Sequence, residues 1–359
     1  MDRSATITAI GPRPGPNGAR IVVTGSAGFI GFHLSRLLLS QGHSVHGIDG
    51  MTDYYDVSLK RRRHAMLAQI PGFSATHVRL EDREALDAAI DQAAPDVIVH
   101  LAAQAGVRHS LDVPRAYMDA NITGSFNVLE AAKRHRVRHL LVASSSSVYG
   151  ANTEMPFREV HRTDTPLNVY GATKKAVEDL GHVYAHLHDI PVTMFRFFTV
   201  YGPWGRPDMA LFSFAEAMAH GRAINVHNHG QMERDFTYID DLVQAIGLLV
   251  ERPPERPKDG SVSDWDSLST VAPYRVVNIG NGSPVPLMAF IRALEDAMGI
   301  EARKTMLPAQ PGEVLATWAD TSLLQRLTGF KPQTDHRQGV AEFIKWWSMW
   351  RSGEASQAG

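Results

Sequence analysis

IVVTGSAGFIGFHLSRLLLS, residues 21–40, runs from a short aliphatic segment through a glycine-rich turn into an amphipathic one. It predicts a buried strand, a tight turn and a helix over 29–40. Gly25, Gly28 and Gly31 carry no side chain, so the backbone can approach a pyrophosphate at the helix N-terminus. Free N–H groups and the helix dipole favour negative charge there. The spacing is GxxGxxG, a variant of the GxGxxG dinucleotide fingerprint. Eighteen residues beyond Gly31, the segment SVHGID ends on Asp49. A carboxylate at that point accepts both ribose hydroxyls and repels a 2′-phosphate, which selects NAD+ over its phosphorylated form.

The same alternation of aliphatic runs and amphipathic stretches continues outward. SVHGID, THVRL, DVIVHLA, HLLVASS and PVTMFRFF read as strands, interleaved with helices predicted over 84–93, 120–135 and 170–187. This is the signature of parallel βαβ units. After residue 198 strands become sparse, with helices predicted over 209–220, 239–250, 287–298 and 339–350 and short strands at 224–227 and VVNIG. The fold class expected is α/β, a doubly wound parallel Rossmann-type sheet with a smaller C-terminal α+β lobe for substrate. Residues 1–18 and 351–359 read as tails and 19–196 as the dinucleotide-binding domain, with 236–250 packing back onto it. Residues 197–350 form the second domain, carrying a polar surface insertion at 251–273. The terminal helix bears an apolar stripe of Phe343, Trp346, Trp347 and Trp350, a pattern of core or of an oligomer contact.

Composition narrows the function classes. The chain has 359 residues, enough to bury a substantial interior. The absence of cysteine excludes disulfides, thiolate metal sites and thiol nucleophiles. A formal charge of -2 gives no field to attract nucleic acid or anionic lipid. No apolar run reaches the ~18 residues of a membrane span, and the N-terminal stretch lacks the apolar core of a secretion signal. A soluble, cytoplasmic protein is therefore expected. The 17 histidines are scattered without ligand spacing, so no metal is expected. The basic run 60–64 reads as a solvated helix face.

The chemistry is concentrated in VASSSSVYG, residues 142–150, followed by YGATK at 170–174. Tyr170 and Lys174 stand one helical turn apart on the same face. A free phenol has a pKa near ~10 and is a poor base at neutral pH unless a cation stabilises the phenolate. Lys174 is placed to be that cation, and the serine run supplies hydroxyls for a proton relay.

On these motifs, together with DYYDVSLKRRR, HLAAQAGVRHS, RFFTVYGPWGRPDMALF, ERDFTYIDD, APYRVVNIGN and LPAQPGEV, the chain resembles the extended short-chain dehydrogenase/reductases that act on nucleotide sugars. Within them it resembles the UDP-glucuronate 4-epimerases. The resemblance spans residues 20–350. It implies tightly held NAD+, a UDP-sugar in the cleft between the lobes, and a homodimer built through a helix pair. It makes Ser145, Tyr170 and Lys174 catalytic. It places Gly25, Gly28, Phe29, Ile30, Gly31, Asp49, Leu80, Leu101, Ala102, Ala103, Asn121, Tyr170 and Lys174 against the cofactor. Arg108, Ser145, Ser146, Ser147, Tyr170, Thr199, Arg206, Val226, Arg234, Gln310 and Glu313 fall against the substrate. Arg234 corresponds to an arginine that clamps the UDP phosphates, and Arg108, Thr199 and Arg206 to positions associated with the uronate carboxylate. Arg79, where relatives often carry an acid near the adenine, and His227, where many carry a ring near the uracil, depart from that pattern.

The reaction so implied is reversible inversion at C4 of UDP-glucuronate, giving UDP-galacturonate through a 4-keto intermediate. Three readings stand beside it: a UDP-glucose/UDP-galactose 4-epimerase, a UDP-glucuronate decarboxylase, and a non-catalytic NAD-binding scaffold on the same fold. Thr199 with Arg206 favours the uronate. Serines at 145–147, where decarboxylases and dehydratases carry an acid, favour epimerisation, and the retained Tyr170–Lys174 pair argues against a scaffold.

Overall fold

In the computed structural model, residues 18–309 and 314–353 are described. Strand β1 (Arg20–Thr24) has only its first residue exposed. It runs into a turn in which the Gly25 N–H donates to the Ile48 carbonyl at 2.7 Å. Helix α1 (Phe29–Ser40) follows with the predicted bounds, and β2 (Ser44–Asp49) returns parallel to β1. The winding continues through α2 (Val57–Leu67), β3 (Phe73–His77), α3 (Arg83–Ala93) and β4 (Val97–His100). Two short turns, α4 (His109–Asp112) and α5 (Pro114–Tyr117), and a π-helical turn over Met118–Thr123 lead into α6 (Gly124–His135). Strand β5 (His139–Ser145), helix α7 (Val169–His188) and strand β6 (Val192–Phe197) complete this part.

The second group begins with β7 (Thr199–Tyr201), α8 (Ala210–Ala219), β8 (Ile224–Val226), β9 (Glu233–Tyr238) and α9 (Ile239–Val250). It ends with β10 (Tyr274–Ile279), β11 (Pro284–Pro286), α10 (Leu287–Met298), β12 (Lys304–Met306), α11 (Ser322–Thr328) and α12 (His336–Ser352). Seven strands form one parallel sheet in the order β10-β6-β5-β4-β1-β2-β3. The winding reverses between β1 and β4, and ligands of such sheets bind outside the carboxyl ends of the strands at that reversal. Apolar side chains on both faces of the sheet form two cores, as a parallel sheet buried on both sides requires. A three-stranded sheet of β11, β9 and β7 and a two-stranded one of β12 and β8 build the wall opposite.

Some expectations are corrected and others are made specific. The third strand is FSATH, with Val78 and Leu80 of the predicted THVRL buried in the loop beyond it. Strand β10, assigned to the second domain, pairs with β6 and forms the edge of the main sheet. The 251–273 insertion is anchored: Asp266 holds Arg275 through two hydrogen bonds of 2.9 Å, and Arg256 holds Asp189 at 2.9 Å. The basic run on α2 is only partly solvated, since Lys60, Arg63 and His64 are buried while Arg61 is exposed and Arg62 half-buried. The aromatic stripe of α12 belongs to the core, where Trp346 packs on Trp204 at 5.2 Å and on Phe212 at 6.0 Å. Among the described residues no helix is long and apolar enough to cross a membrane.

Candidate active site

A cleft of about 1090 Å³ opens at the carboxyl end of the sheet. On the sheet side it is lined by Gly25, Gly28, Phe29, Ile30, Gly31, Asp49, Leu80, Leu101, Ala102 and Ala103. The glycines are demanded by the packing. A Cβ on Gly31 would sit 2.1 Å from the Gly25 carbonyl oxygen, and Gly25 has φ +75 with its Cβ position 2.9 Å from the Ala102 nitrogen. Among the described residues no side chain caps the N-terminus of α1, and its first turn carries no acid. Its N–H groups are thus open to an anion from the cleft. Asp49 is oriented by two backbone donors, Ala27 N at 3.0 Å and Met51 N at 2.8 Å, each to a different carboxylate oxygen. Each oxygen retains a lone pair for a ribose hydroxyl. Glycine turn, open helix end and oriented acid together fit a dinucleotide.

The opposite edge of this half-site is held from beneath. Buried His100 bonds Thr24 Oγ1 at 2.7 Å and Ser125 Oγ at 2.9 Å. Burial keeps its pKa low, at about 3, so the ring is neutral. Thr24 Oγ1 accepts the N–H groups of Leu101 and Ala102, both at 3.2 Å. Asn121 does not line the cleft. Fully buried in the π-helical turn, it accepts from Gln104 N at 2.8 Å and donates to Gln104 O at 3.1 Å and Thr173 Oγ1 at 3.0 Å. It braces the loop after β4 against α7.

Ser145 ends β5, and Tyr170 and Lys174 rise from the first turns of α7, whose N-terminus is capped by Asn168 accepting from Gly171 N at 2.8 Å. All three line the cleft. Lys174 Nζ donates to the Ala143 carbonyl at 2.8 Å and lies 6.0 Å from the centroid of the Tyr170 ring. Burial lowers the Lys174 pKa to about 8, which leaves the ammonium dominant at neutral pH. Burial raises the Tyr170 phenol above its ordinary value, against a hydrogen bond with Ser145 and the charge of Arg206. Ser145 Oγ donates to Ser147 Oγ and accepts from Ser147 N, both at 3.2 Å. Behind the serines lies a buried charge pair that sequence reading missed. Glu178 accepts Ser144 Oγ at 2.6 Å and both Nε and Nη2 of Arg196 at 2.9 Å. Its only signal was position, one turn beyond Lys174 on the buried face of α7.

Arg108, Ser146, Ser147, Thr199, Arg206 and Arg234 also line the cleft. Arg206 is held by Asp208, Nε to Oδ1 at 3.0 Å, and stands 5.6 Å over the Tyr54 ring, whose hydroxyl donates to Asp208 at 3.2 Å. Burial works to raise the Asp208 pKa, but the Arg206 bond outweighs it and the group stays below its usual value. Tyr54 was missed because Asp208, which it bonds, lies 154 residues further along the chain. Arg234 Nη1 donates to the carbonyls of Glu233 and Leu315 at 2.9 and 3.0 Å. Val226 is fully buried and is not among the cleft-lining residues, while its neighbour His227 faces the cleft with Nδ1 lacking a hydrogen-bond partner among the described residues. Arg79 lines the cofactor end, paired with Glu81 at 2.6 Å. Gln310 and Glu313 lie outside the described residues.

Residues 21–266 match the NAD dependent epimerase/dehydratase family. The chain belongs to that family. A probable UDP-glucuronate 4-epimerase of Rhizobium meliloti is 54% identical over 331 residues, 92% of this chain and 97% of the relative. UDP-glucuronate 4-epimerase 4 of Arabidopsis thaliana is 42% identical over 347 residues, 95% of this chain and 78% of its own length. The crystal structure of UDP-glucuronic acid 4-epimerase from Bacillus cereus, in complex with UDP-glucuronic acid and NAD, superposes with a TM-score of 0.82 at 32% identity, covering 92% of this chain and 99% of that one.

Proposed function

We propose that this chain is an NAD+-dependent isomerase that inverts C4 of UDP-glucuronate to give UDP-galacturonate, reversibly. The observation that carries the reading is one cleft holding a dinucleotide-shaped glycine turn beside Ser145, Tyr170 and Lys174, in a chain 54% identical to a probable UDP-glucuronate 4-epimerase. The glycine turn, the α1 N-terminus and Asp49 hold the cofactor, which when bound supplies a reversible acceptor for the C4 hydride.

Tyr170 takes the proton from the sugar O4, its phenolate stabilised against burial by the Ser145 hydrogen bond, the charge of Arg206 and the Lys174 ammonium, and Ser145 hydrogen-bonds O4 and shares the proton. Arg234 retains the diphosphate by charge-assisted hydrogen bonds while the 4-keto sugar turns over, so its opposite face meets the same groups. Tyr170 then returns the proton. A 4-keto uronate is a β-keto acid and loses carbon dioxide when the bond to its carboxylate aligns with the carbonyl π system. Ser146, Ser147, Thr199 and Arg206 hold that bond near the carbonyl plane and protect the intermediate. Thr199 and Arg206 select the uronate over neutral UDP-glucose.

The protein works as a cytoplasmic homodimer. Phe126 on α6 and Val183 and Leu187 on α7 are exposed, Leu187 by 66%, on two adjacent helices, and this apolar face is covered by a second copy. Light scattering that finds a monomer at micromolar concentration removes this part of the reading. Incubation with UDP-glucuronate, with products resolved by NMR, tests the reaction. UDP-galacturonate supports it, whereas UDP-xylose or an unchanged sugar overturns it. Tyr170→Phe is expected to abolish turnover while retaining NAD+.

A further inference from the structure

Helix α2 buries a guanidinium that hydrogen-bonds no carboxylate among the described residues. Arg63 is fully buried, and its fork reaches two separate parts of the chain. Nη1 donates to the Ala27 carbonyl and to the Tyr55 hydroxyl, both at 2.9 Å. Nη2 donates to the Trp204 carbonyl at 2.5 Å and, more weakly, to the Gly205 carbonyl at 3.3 Å. Ala27 lies inside the glycine turn, between Gly25 and Gly28. Trp204 and Gly205 immediately precede Arg206.

The same loop is gripped a second time from the cofactor side. His33 of α1 bonds the Pro203 carbonyl through Nε2 at 3.0 Å, and since a carbonyl only accepts, Nε2 carries the proton. Three consecutive carbonyls, 203 to 205, are therefore held by side chains of α1 and α2. Trp204 has φ +59, a left-handed conformation that side chains other than glycine adopt at a cost. Its indole packs 5.6 Å from Phe32 of α1. A buried cation that bonds only neutral oxygens among the described residues, and leaves its Nε without a partner there, is a poor way to stabilise a core, because an apolar residue of similar volume does so without desolvating a charge. What the planar fork does supply is a fixed separation between the groups it joins.

We propose that Arg63 is a positioning residue that couples the two halves of the cleft: by bridging the Ala27 carbonyl to those of Trp204 and Gly205, it sets where Arg206 stands relative to the glycine turn. The inference rests on the functional reading above, in which Arg206 holds the uronate carboxylate. It makes cofactor retention and sugar positioning depend on one side chain that touches neither ligand.

The test is a double-mutant cycle on the holoenzyme, Arg63→Met against Arg206→Met, with UDP-glucuronate as substrate, UDP as competitive inhibitor, and NAD+ release measured separately. Arg63→Met is expected to lower kcat by about 10- to 100-fold, the scale of a misplaced positioning group, to leave the UDP inhibition constant unchanged and to speed NAD+ release. Added to Arg206→Met it is expected to cost little further turnover, because the group it positions is already gone. Arg63→Lys keeps the charge but cannot span both loops, so it restores melting behaviour and not kcat. His33→Leu, a milder change, is expected to show the same non-additivity with Arg206→Met while leaving NAD+ release unchanged, and it carries the cycle if Arg63→Met does not fold. Losses that multiply independently, or a UDP constant that weakens in step with kcat, overturn the proposal. A wild type inert towards UDP-glucuronate sinks the functional reading alone. NAD+ release from Arg63→Lys and Arg63→Met then still decides the glycine-turn end of the clamp, and rates equal to the wild type would defeat it.

Discussion

Lys174 is expected to weaken the fold that it serves. Its ammonium is buried, and its pKa falls from 10.5 to about 8 because burial disfavours the charged form. At about 1.4 kcal/mol for each tenfold change, the gap corresponds to roughly 3 kcal/mol. That figure already contains the bond to Ala143, since a pKa compares two protonation states of the lysine in place. Below pH 8 the lysine is protonated in both folded and unfolded chains, and the penalty is fully present. Between pH 8 and 10.5 the folded lysine has lost its proton while the unfolded one keeps it, so the unfolded state binds more protons and stability rises with pH. Replacing Lys174 by Met removes the penalty and also a neutral hydrogen bond worth about 1 kcal/mol. The variant should therefore be about 2 kcal/mol more stable than the wild type at pH 7, should lack the rise above pH 8, and should lose nearly all turnover. Urea unfolding of cofactor-free protein across this range measures it. A variant no more stable than the wild type at pH 7, or one whose stability climbs in parallel with it, refutes the reasoning.

Gly31→Ala, whose Cβ would meet the Gly25 oxygen at 2.1 Å, should weaken NAD+ binding at least about tenfold, an effect of about 1.4 kcal/mol. Gly42→Ala, with nothing within 4 Å but φ +86, should cost only about 1–2 kcal/mol of stability and no affinity; isothermal titration separates the two. Glu178→Ala leaves Arg196 buried and unpaired, so calorimetry should register a loss of about 3–5 kcal/mol, largely recovered when both residues become Met. Desolvation raises half-buried Glu159 from 4.5 to about 7. The folded state thus binds the extra proton between those values, and stability should fall as pH rises through that window. Glu159→Gln should flatten the decline in pH-dependent melting curves.

How much of this was legible in the sequence follows from what each residue touches. Helices α1, α9 and α10 matched their predicted bounds because their signals are local: glycine turns, apolar periodicity and short connections. The grouping of Ser145, Tyr170 and Lys174 was readable because one strand end and one helix turn carry it. The third strand slipped because Val78 and Leu80 are as apolar as strand residues but bury in the loop beyond, a distinction made by tertiary packing. Arg63 was misread as solvated because its partners are backbone carbonyls 36 and 141 residues away, and carbonyls leave no trace in side-chain pattern. Asn121 was expected near the cofactor and is buried against Gln104 and Thr173, contacts that sequence spacing does not reveal.

Strand β10 closes the main sheet against β6, and this has a consequence for how the chain is made. A ribosome releases β6 long before β10, so a nascent chain that has wound the first six strands presents a bare hydrogen-bonding edge, able to recruit a foreign strand. The cofactor half cannot finish folding until residue 279 has emerged, and shortened transcripts ending near residue 196 should yield aggregates in place of a free-standing nucleotide binder.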